Sequence, residues 1–121
     1  MKRSTLALAA FALVVGVVVV APSSAAPASP RLVATVGPGF TISLKSGSAK
    51  VKTLKAGKYT IAVSDLSSSH DFHLSGPGVS KKTSIGGTGK ATWVVTFQKG
   101  KTYRYVCDAH AFEMFGSFKV K

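Results

Sequence analysis

Three side chains near the C-terminal end have types and spacing suited to holding a soft metal ion. Cys107, His110 and Met114 follow one another as Cys-x2-His-x3-Met within the stretch from Tyr103 to Val120. They offer one thiolate, one imidazole and one thioether from a single short loop. An apolar run, Tyr-Arg-Tyr-Val, precedes the loop, and an alternating run, Phe-Gly-Ser-Phe-Lys-Val, follows it. That pattern predicts a ligand-bearing turn between two strands. A fourth ligand has to come from elsewhere, and His70 in Ser-His-Asp-Phe-His-Leu is the candidate.

A thiolate with two imidazoles and a weak, distant Met sulfur is the donor set of blue-copper electron-transfer centres. The soft sulfurs favour Cu(I) and the imidazoles also suit Cu(II), so one arrangement serves both oxidation states with little movement. Zinc is more often offered four strong ligands, among which a thioether is a poor choice. Each residue has a plainer reading. A lone Cys is often an inert core residue, and Met is common core filler. The joint spacing of Cys107, His110 and Met114 outweighs those readings.

The elements that must position these groups read as strands. From Arg31 onward, segments such as Arg-Leu-Val-Ala-Thr-Val, Phe-Thr-Ile-Ser-Leu-Lys, Lys-Tyr-Thr-Ile-Ala-Val and Ala-Thr-Trp-Val-Val-Thr-Phe are short, often alternating, and rich in β-branched and aromatic residues. Turn signals separate them, among them Gly37-Pro38-Gly39, Ser46-Gly47-Ser48, Gly76-Pro77-Gly78 and Lys99-Gly100-Lys101. About seven strands in about 90 residues indicate an all-β Greek-key sandwich. Tyr59, Ile61 and Val63 share one strand face, as do Trp93, Val95 and Phe97, and these faces are expected to meet in the core.

Strand parity helps to choose between the histidines. If residues 71–74 are extended, His70 projects with Phe72 and Leu74, while Asp71 and His73 project to the other side. The apolar side is the core side, which favours His70 as ligand and leaves His73 at the surface or behind the ligands. A bulge would reverse that parity. Cys107 shares its side with Tyr103 and Tyr105, so its thiolate is expected at the rim of the core.

The loop resembles that of the small cupredoxins, the plastocyanin, amicyanin and pseudoazurin group. The match takes in Gly116 and Phe118 after the Met, and His-Asp-Phe-His-Leu upstream is similar to the family's His-Asn-x-x-Phe or His-Asn-x-His-Phe segment. The resemblance implies a cupredoxin-like sandwich holding one type 1 copper ion, with His70, Cys107, His110 and Met114 as its ligands. It also implies that the His110 edge reaches solvent as the electron's port, with Phe112 and the Gly76-Pro77-Gly78 loop as candidates for an apolar rim. Packing of Phe112 beneath the loop is the alternative. Three departures stand out. Asp71 replaces the Asn that braces the cysteine loop, Ala109 replaces a Pro common before the loop His, and the His-to-Met spacing falls between those of amicyanin and plastocyanin. A carboxylate at position 71 is expected to stabilise Cu(II) and lower the potential.

The chain's 121 residues amount to one domain. Lys2 and Arg3 lead into an apolar run from Leu6 to Val20 and then small residues, which describes a secretory signal peptide. The run falls short of the ~20 residues of a spanning helix. Residues 1–28 are therefore expected to be removed, with 29–121 as the exported domain, a monomer with no membrane span. Without Lys2 and Arg3, fourteen basic residues remain against four acidic ones. They are mostly scattered Lys with no basic helix, which argues against nucleic acid. A positive field suits acidic redox partner proteins or an anionic surface. A single Cys in an exported protein forms no internal disulfide and points to a thiol with a task.

The reading that follows is an exported, single-copper electron carrier rather than an enzyme, since four protein ligands leave no open position for substrate. A copper-delivery protein is the first rival, but such proteins favour Met-rich or paired-Cys sites, and only Met1 and Met114 occur. A metal-free cell-surface sandwich leaves the ligand spacing to chance. A thiol hydrolase using Cys107 and His110 leaves His70 and Met114 without roles.

Overall fold

Period-2 alternation of apolar and polar residues folds here into strands that each bury one face. The computed structural model describes residues 9–22 and 28–121. Ten strands form the domain: β1 (Arg31–Val36), β2 (Ile42–Ser46), β3 (Ala49–Lys50), β4 (Thr53–Leu54), β5 (Gly57–Asp65), β6 (His73–Gly76), β7 (Val79–Lys82), β8 (Gly89–Phe97), β9 (Thr102–Val106) and β10 (Phe115–Val120). One sheet runs β3-β2-β1-β5-β8 and the other β4-β10-β9-β6-β7. The chain crosses between them repeatedly, giving the expected Greek-key sandwich. Two pairings are parallel, β1 with β5 and β4 with β10, and the rest are antiparallel. Among the described residues β1 is the first strand, and none before it belongs to the buried core.

The core follows the predicted parity. Leu32, Ala34 and Val36 of β1, Tyr59, Ile61 and Val63 of β5, and Tyr103 and Tyr105 of β9 are buried. Burying each large apolar side chain contributes about 1.5–3 kcal/mol. Phe97, Tyr103 and Phe118 pack ring to ring, with centroids 4.7–5.7 Å apart, at one end of the sandwich. Phe72 stacks on Tyr105 at 5.3 Å and meets Trp93 at 6.2 Å toward the other end.

Several expectations change in detail. The faces carrying Tyr59-Ile61-Val63 and Trp93-Val95-Phe97 do not meet across the core, because β5 and β8 lie side by side, with Tyr59 opposite Val95 and Ile61 opposite Trp93. They line one inner face together. Phe40 stands outside β2, in the turn after β1. The Gly76-Pro77-Gly78 turn lies at the end of the sandwich away from Cys107, since antiparallel pairing sets His73 opposite Val106 and Ser75 opposite Arg104.

The expected leader sits before this domain. Residues 9–22 carry no helix or strand. Lys2, Arg3 and residues 23–27 of the expected cleavage region lie outside the described residues. Among the described residues no helix is long and apolar enough to cross a membrane.

Candidate metal centre

The donor groups meet at one end of the sandwich, where β5, β9 and β10 deliver their loops. Cys107 directly follows β9 and is fully buried. Its chain turns through a short 3-10 segment, Asp108–His110, and returns into β10. Backbone hydrogen bonds close that loop on itself: Cys107 N donates to Met114 O (3.0 Å), His110 N to Cys107 O (3.0 Å) and Met114 N to His110 O (2.9 Å). The loop thus makes its closing bonds within itself.

His70 arrives from the other sheet, at the end of the loop after β5. That loop is clamped on both sides of the histidine. Asp65 Oδ1 accepts from Ser67 N (3.2 Å), Asp65 Oδ2 accepts from the Thr83 hydroxyl (2.6 Å), and Thr83 Oγ1 accepts from Phe72 N (2.9 Å). Thr83 N donates in turn to Phe72 O (3.1 Å). His70 is 4% exposed and Phe72 is buried, whereas His73 is half-buried, as the parity argument expects.

The resulting geometry is a small triangle. His70 Nδ1 and His110 Nδ1 are 3.0 Å apart, and Cys107 Sγ lies 3.6 Å and 3.7 Å from them. A point equidistant from the three atoms is about 2.0 Å from each, close to the bond length of imidazole nitrogen to a divalent transition metal. Both imidazole Nδ1 atoms and the sulfur face inward, so one cation among them could accept a lone pair from each. His70, Cys107 and His110 thus fit a metal ion. Met114 stands at the foot of the same loop, before β10, with its side chain buried in the core and 1% exposed.

Asp71 braces the cysteine loop as an Asn would. Its backbone N–H points at Cys107 Sγ (3.5 Å), and its Oδ1 accepts from Asp108 N (2.6 Å). Its Oδ2 is buried without a partner. Burial first, and then the nearby Asp108 carboxyl, push the Asp71 carboxyl above its ordinary value of 3.8. Burial would raise Asp108 as well, but hydrogen bonds from His73 and with Asp71 hold it below 3.8. His73 Nδ1 meets Asp108 Oδ1 at 2.9 Å, so the second histidine ties β6 to the cysteine loop from outside.

Two rim features follow. Phe112 is 97% exposed, so it does not pack beneath the loop. Phe40 sets its ring edge against both imidazoles, 5.2 Å from His70 and 4.8 Å from His110 between centroids. Phe40 rides on a turn in which Gly37 (φ 72°) and Gly39 (φ 70°) take up the left-handed region. The chain holds two Gly-Pro-Gly turns, and the one at the metal centre is Gly37-Pro38-Gly39. Nothing local distinguishes them, and the choice is made by β1 running parallel to β5, which brings Val36 beside Asp65. The Asp65–Thr83 clamp was equally invisible, since its members are 18 residues apart.

No protein-family model matches the chain, and no curated protein matches it. Solved structures do resemble it. A variant of rusticyanin is 24% identical, with a TM-score of 0.53 over 75% of this chain and 76% of that one. Rusticyanin from Thiobacillus ferrooxidans is 25% identical, with a TM-score of 0.50 over the same shares. A multi-copper oxidase from Pediococcus acidilactici is 14% identical with a TM-score of 0.51, over 83% of this chain but 28% of the oxidase.

Proposed function

We propose that this chain, a cupredoxin by its fold and by its histidine–cysteine–histidine cluster, is an exported carrier of single electrons built around one type 1 copper ion. In this reading His70, Cys107 and His110 would hold the ion, and the Met114 thioether would add a fourth, weaker donor. The observation that carries it is the triangle of His70 Nδ1, His110 Nδ1 and Cys107 Sγ, sized for one ion. A copper ion held there supplies a one-electron couple, Cu(II)/Cu(I).

The protein's own contribution is to keep the donors still. Closure of the Cys107–Met114 loop and the Asp65–Thr83–Phe72 clamp fix both halves of the site before any ion arrives. Asp71 N–H directs a hydrogen bond at the sulfur, and such outer contacts tune potential and ligand orientation. Phe40 shields the imidazole pair from water on one side. His110 keeps partial exposure beside the exposed ring of Phe40, and Phe112 is exposed two residues further along the same loop, apolar surface on which a redox partner protein can settle.

This braced site favours a carrier over a copper-delivery protein, which needs ligands that open and exchange. A full set of four protein ligands also favours a carrier over an enzyme. The apolar run from Leu6 to Val20 supports export, with residues 1–28 removed and 29–121 acting as a monomer. The test is to add Cu(II) to the purified domain and record its absorption and electron paramagnetic resonance spectra. An intense charge-transfer band near the red end of the visible is expected, with the narrow copper hyperfine splitting of a thiolate-bound centre. A colourless complex, or copper bound only weakly and non-stoichiometrically, overturns the reading.

A further inference from the structure

The fold sorts charge along the long axis of the sandwich. All four acidic residues belong to the ligand-bearing end. Asp65 ends β5 beside His70's loop, Asp71 and Asp108 brace Cys107, and Glu113 lies in the cysteine loop, its N–H donating to His110 O. The opposite end is purely cationic. Lys52, Lys55, Lys99, Lys101, Lys119 and Lys121 are all exposed there. Backbone bonds gather their segments together: Lys119 N to Lys52 O, Val120 N to Lys101 O, Gly100 N to Val120 O, and Ala56 N to Lys121 O. Arg31 and Lys58 open β1 and β5 at the same end.

Distance decides what this pole can do. The eight steps of β5 from Gly57 to Asp65 span about 26 Å at the usual strand rise. Screening at physiological salt acts over about 8 Å. The lysine pole is therefore several screening lengths from His110 and is badly placed to steer a partner onto it.

Its texture also differs from a protein-docking patch. The turns of this pole expose no large apolar side chain, whereas Phe40, Leu66 and Phe112 are exposed at the ligand-bearing end. Specific protein interfaces rely on buried apolar or aromatic anchors. Dispersed lysines without an anchor suit a flat, diffuse negative surface, each contributing about the same increment. The chain also enters the sandwich here, because Thr60 N donates to Pro30 O just before β1.

We propose that the lysine pole docks the domain on an anionic phospholipid surface, holding the ligand-bearing end away from the bilayer. The docking itself requires no metal. Its use, to present the electron port to partners while the domain stays at a membrane, rests on the carrier reading.

The test uses residues 29–121, in which both sheets are complete, without copper, so that docking is scored apart from metal binding. Two triple variants change charge equally: Lys52→Gln, Lys99→Gln and Lys121→Gln at the pole, against Lys81→Gln, Lys82→Gln and Lys90→Gln on the ligand-bearing half. All six side chains are exposed, and an unchanged unfolding midpoint verifies each fold. Binding is read by co-sedimentation with phosphatidylcholine vesicles, with or without about one-third phosphatidylglycerol. The parent is expected to bind only the anionic vesicles at about 0.1 M salt and to be released at about 1 M. The pole variant should lose about 100-fold in partition, and the control variant should stay within about threefold. Equal losses in both variants, or no binding to anionic vesicles, overturn the proposal. Retention by soluble polyphosphate without vesicle binding also overturns it, and reassigns the pole to an anionic polymer.

Discussion

Changing Gly116 to Ala isolates one close approach on which the metal loop's geometry depends. Gly116 lies directly opposite Tyr105 in the β9–β10 pair, two residues beyond Met114, while Tyr105 is two residues before Cys107. A Cβ at position 116 would stand 2.6 Å from Tyr105 Cε2 and nearer still to Cζ and the hydroxyl oxygen. Carbon atoms in contact prefer about 3.5–4.0 Å, so the ring must retreat by about 1 Å or more. It has nowhere to go, since it is fully buried and stacked on Phe72. The backbone at Gly116 does not require glycine, so the cost is one of overpacking, about 1–3 kcal/mol. For a domain of this size each kcal/mol lowers the unfolding midpoint by about 4–8 °C. The assay is a double-mutant cycle by chemical denaturation, with Gly116→Ala measured in the parent and in Tyr105→Leu. Removing the ring should relieve the clash and bring the cost of Gly116→Ala to within about 0.5 kcal/mol of zero, a coupling within the range found for residues in contact. A cost that is equal in the two backgrounds would refute the reasoning, as would a parent-background cost under about 0.5 kcal/mol.

The two carboxyls of the loop should respond to pH with opposite signs. Asp71 titrates above 3.8 in the fold, so its favourable contribution is present at low pH and is lost as pH rises through the folded value. Asp71→Asn should therefore be more stable than the parent at neutral pH, lose that advantage in acid, and raise the potential of the copper-loaded protein. Denaturation curves at two pH values and a redox titration check this, and an unchanged or lower potential counts against it. Asp108 titrates below 3.8, so its contribution is present above that value and fades as pH falls. Asp108→Asn should cost about 0.5–1 kcal/mol near neutrality, discounted because the pair is partly exposed, and nothing in strong acid. His70→Ala should abolish the blue band while His73→Ala keeps it, and spectra showing the reverse would mean that the wrong histidine was chosen. Phe112→Ser, at a 97% exposed position, should leave the unfolding midpoint unchanged but slow electron exchange with a protein partner, as read by stopped-flow mixing.

Local chemistry made part of this protein legible without coordinates. The Cys107, His110 and Met114 spacing is confined to one loop, so residue order alone displays it. Alternation along β1, β5 and β9 announced a sandwich, because a strand's two faces are written in its odd and even positions. The same alternation turned His70 rather than His73 toward the core. Interactions closed over long separations were hidden. The Asp65–Thr83 clamp, the Phe40 ring against the imidazoles and the Asp108–His73 bridge join residues that only strand pairing makes neighbours. Two Gly-Pro-Gly turns look alike as text, and the parallel β1–β5 register decides which of them reaches the metal centre. Fourteen scattered cations likewise read as a uniform coat until the sheets gather eight of them at one pole, with all four acids at the other end. Composition sets how much charge a chain carries, but a field depends on distance, and distance exists only once the chain has folded.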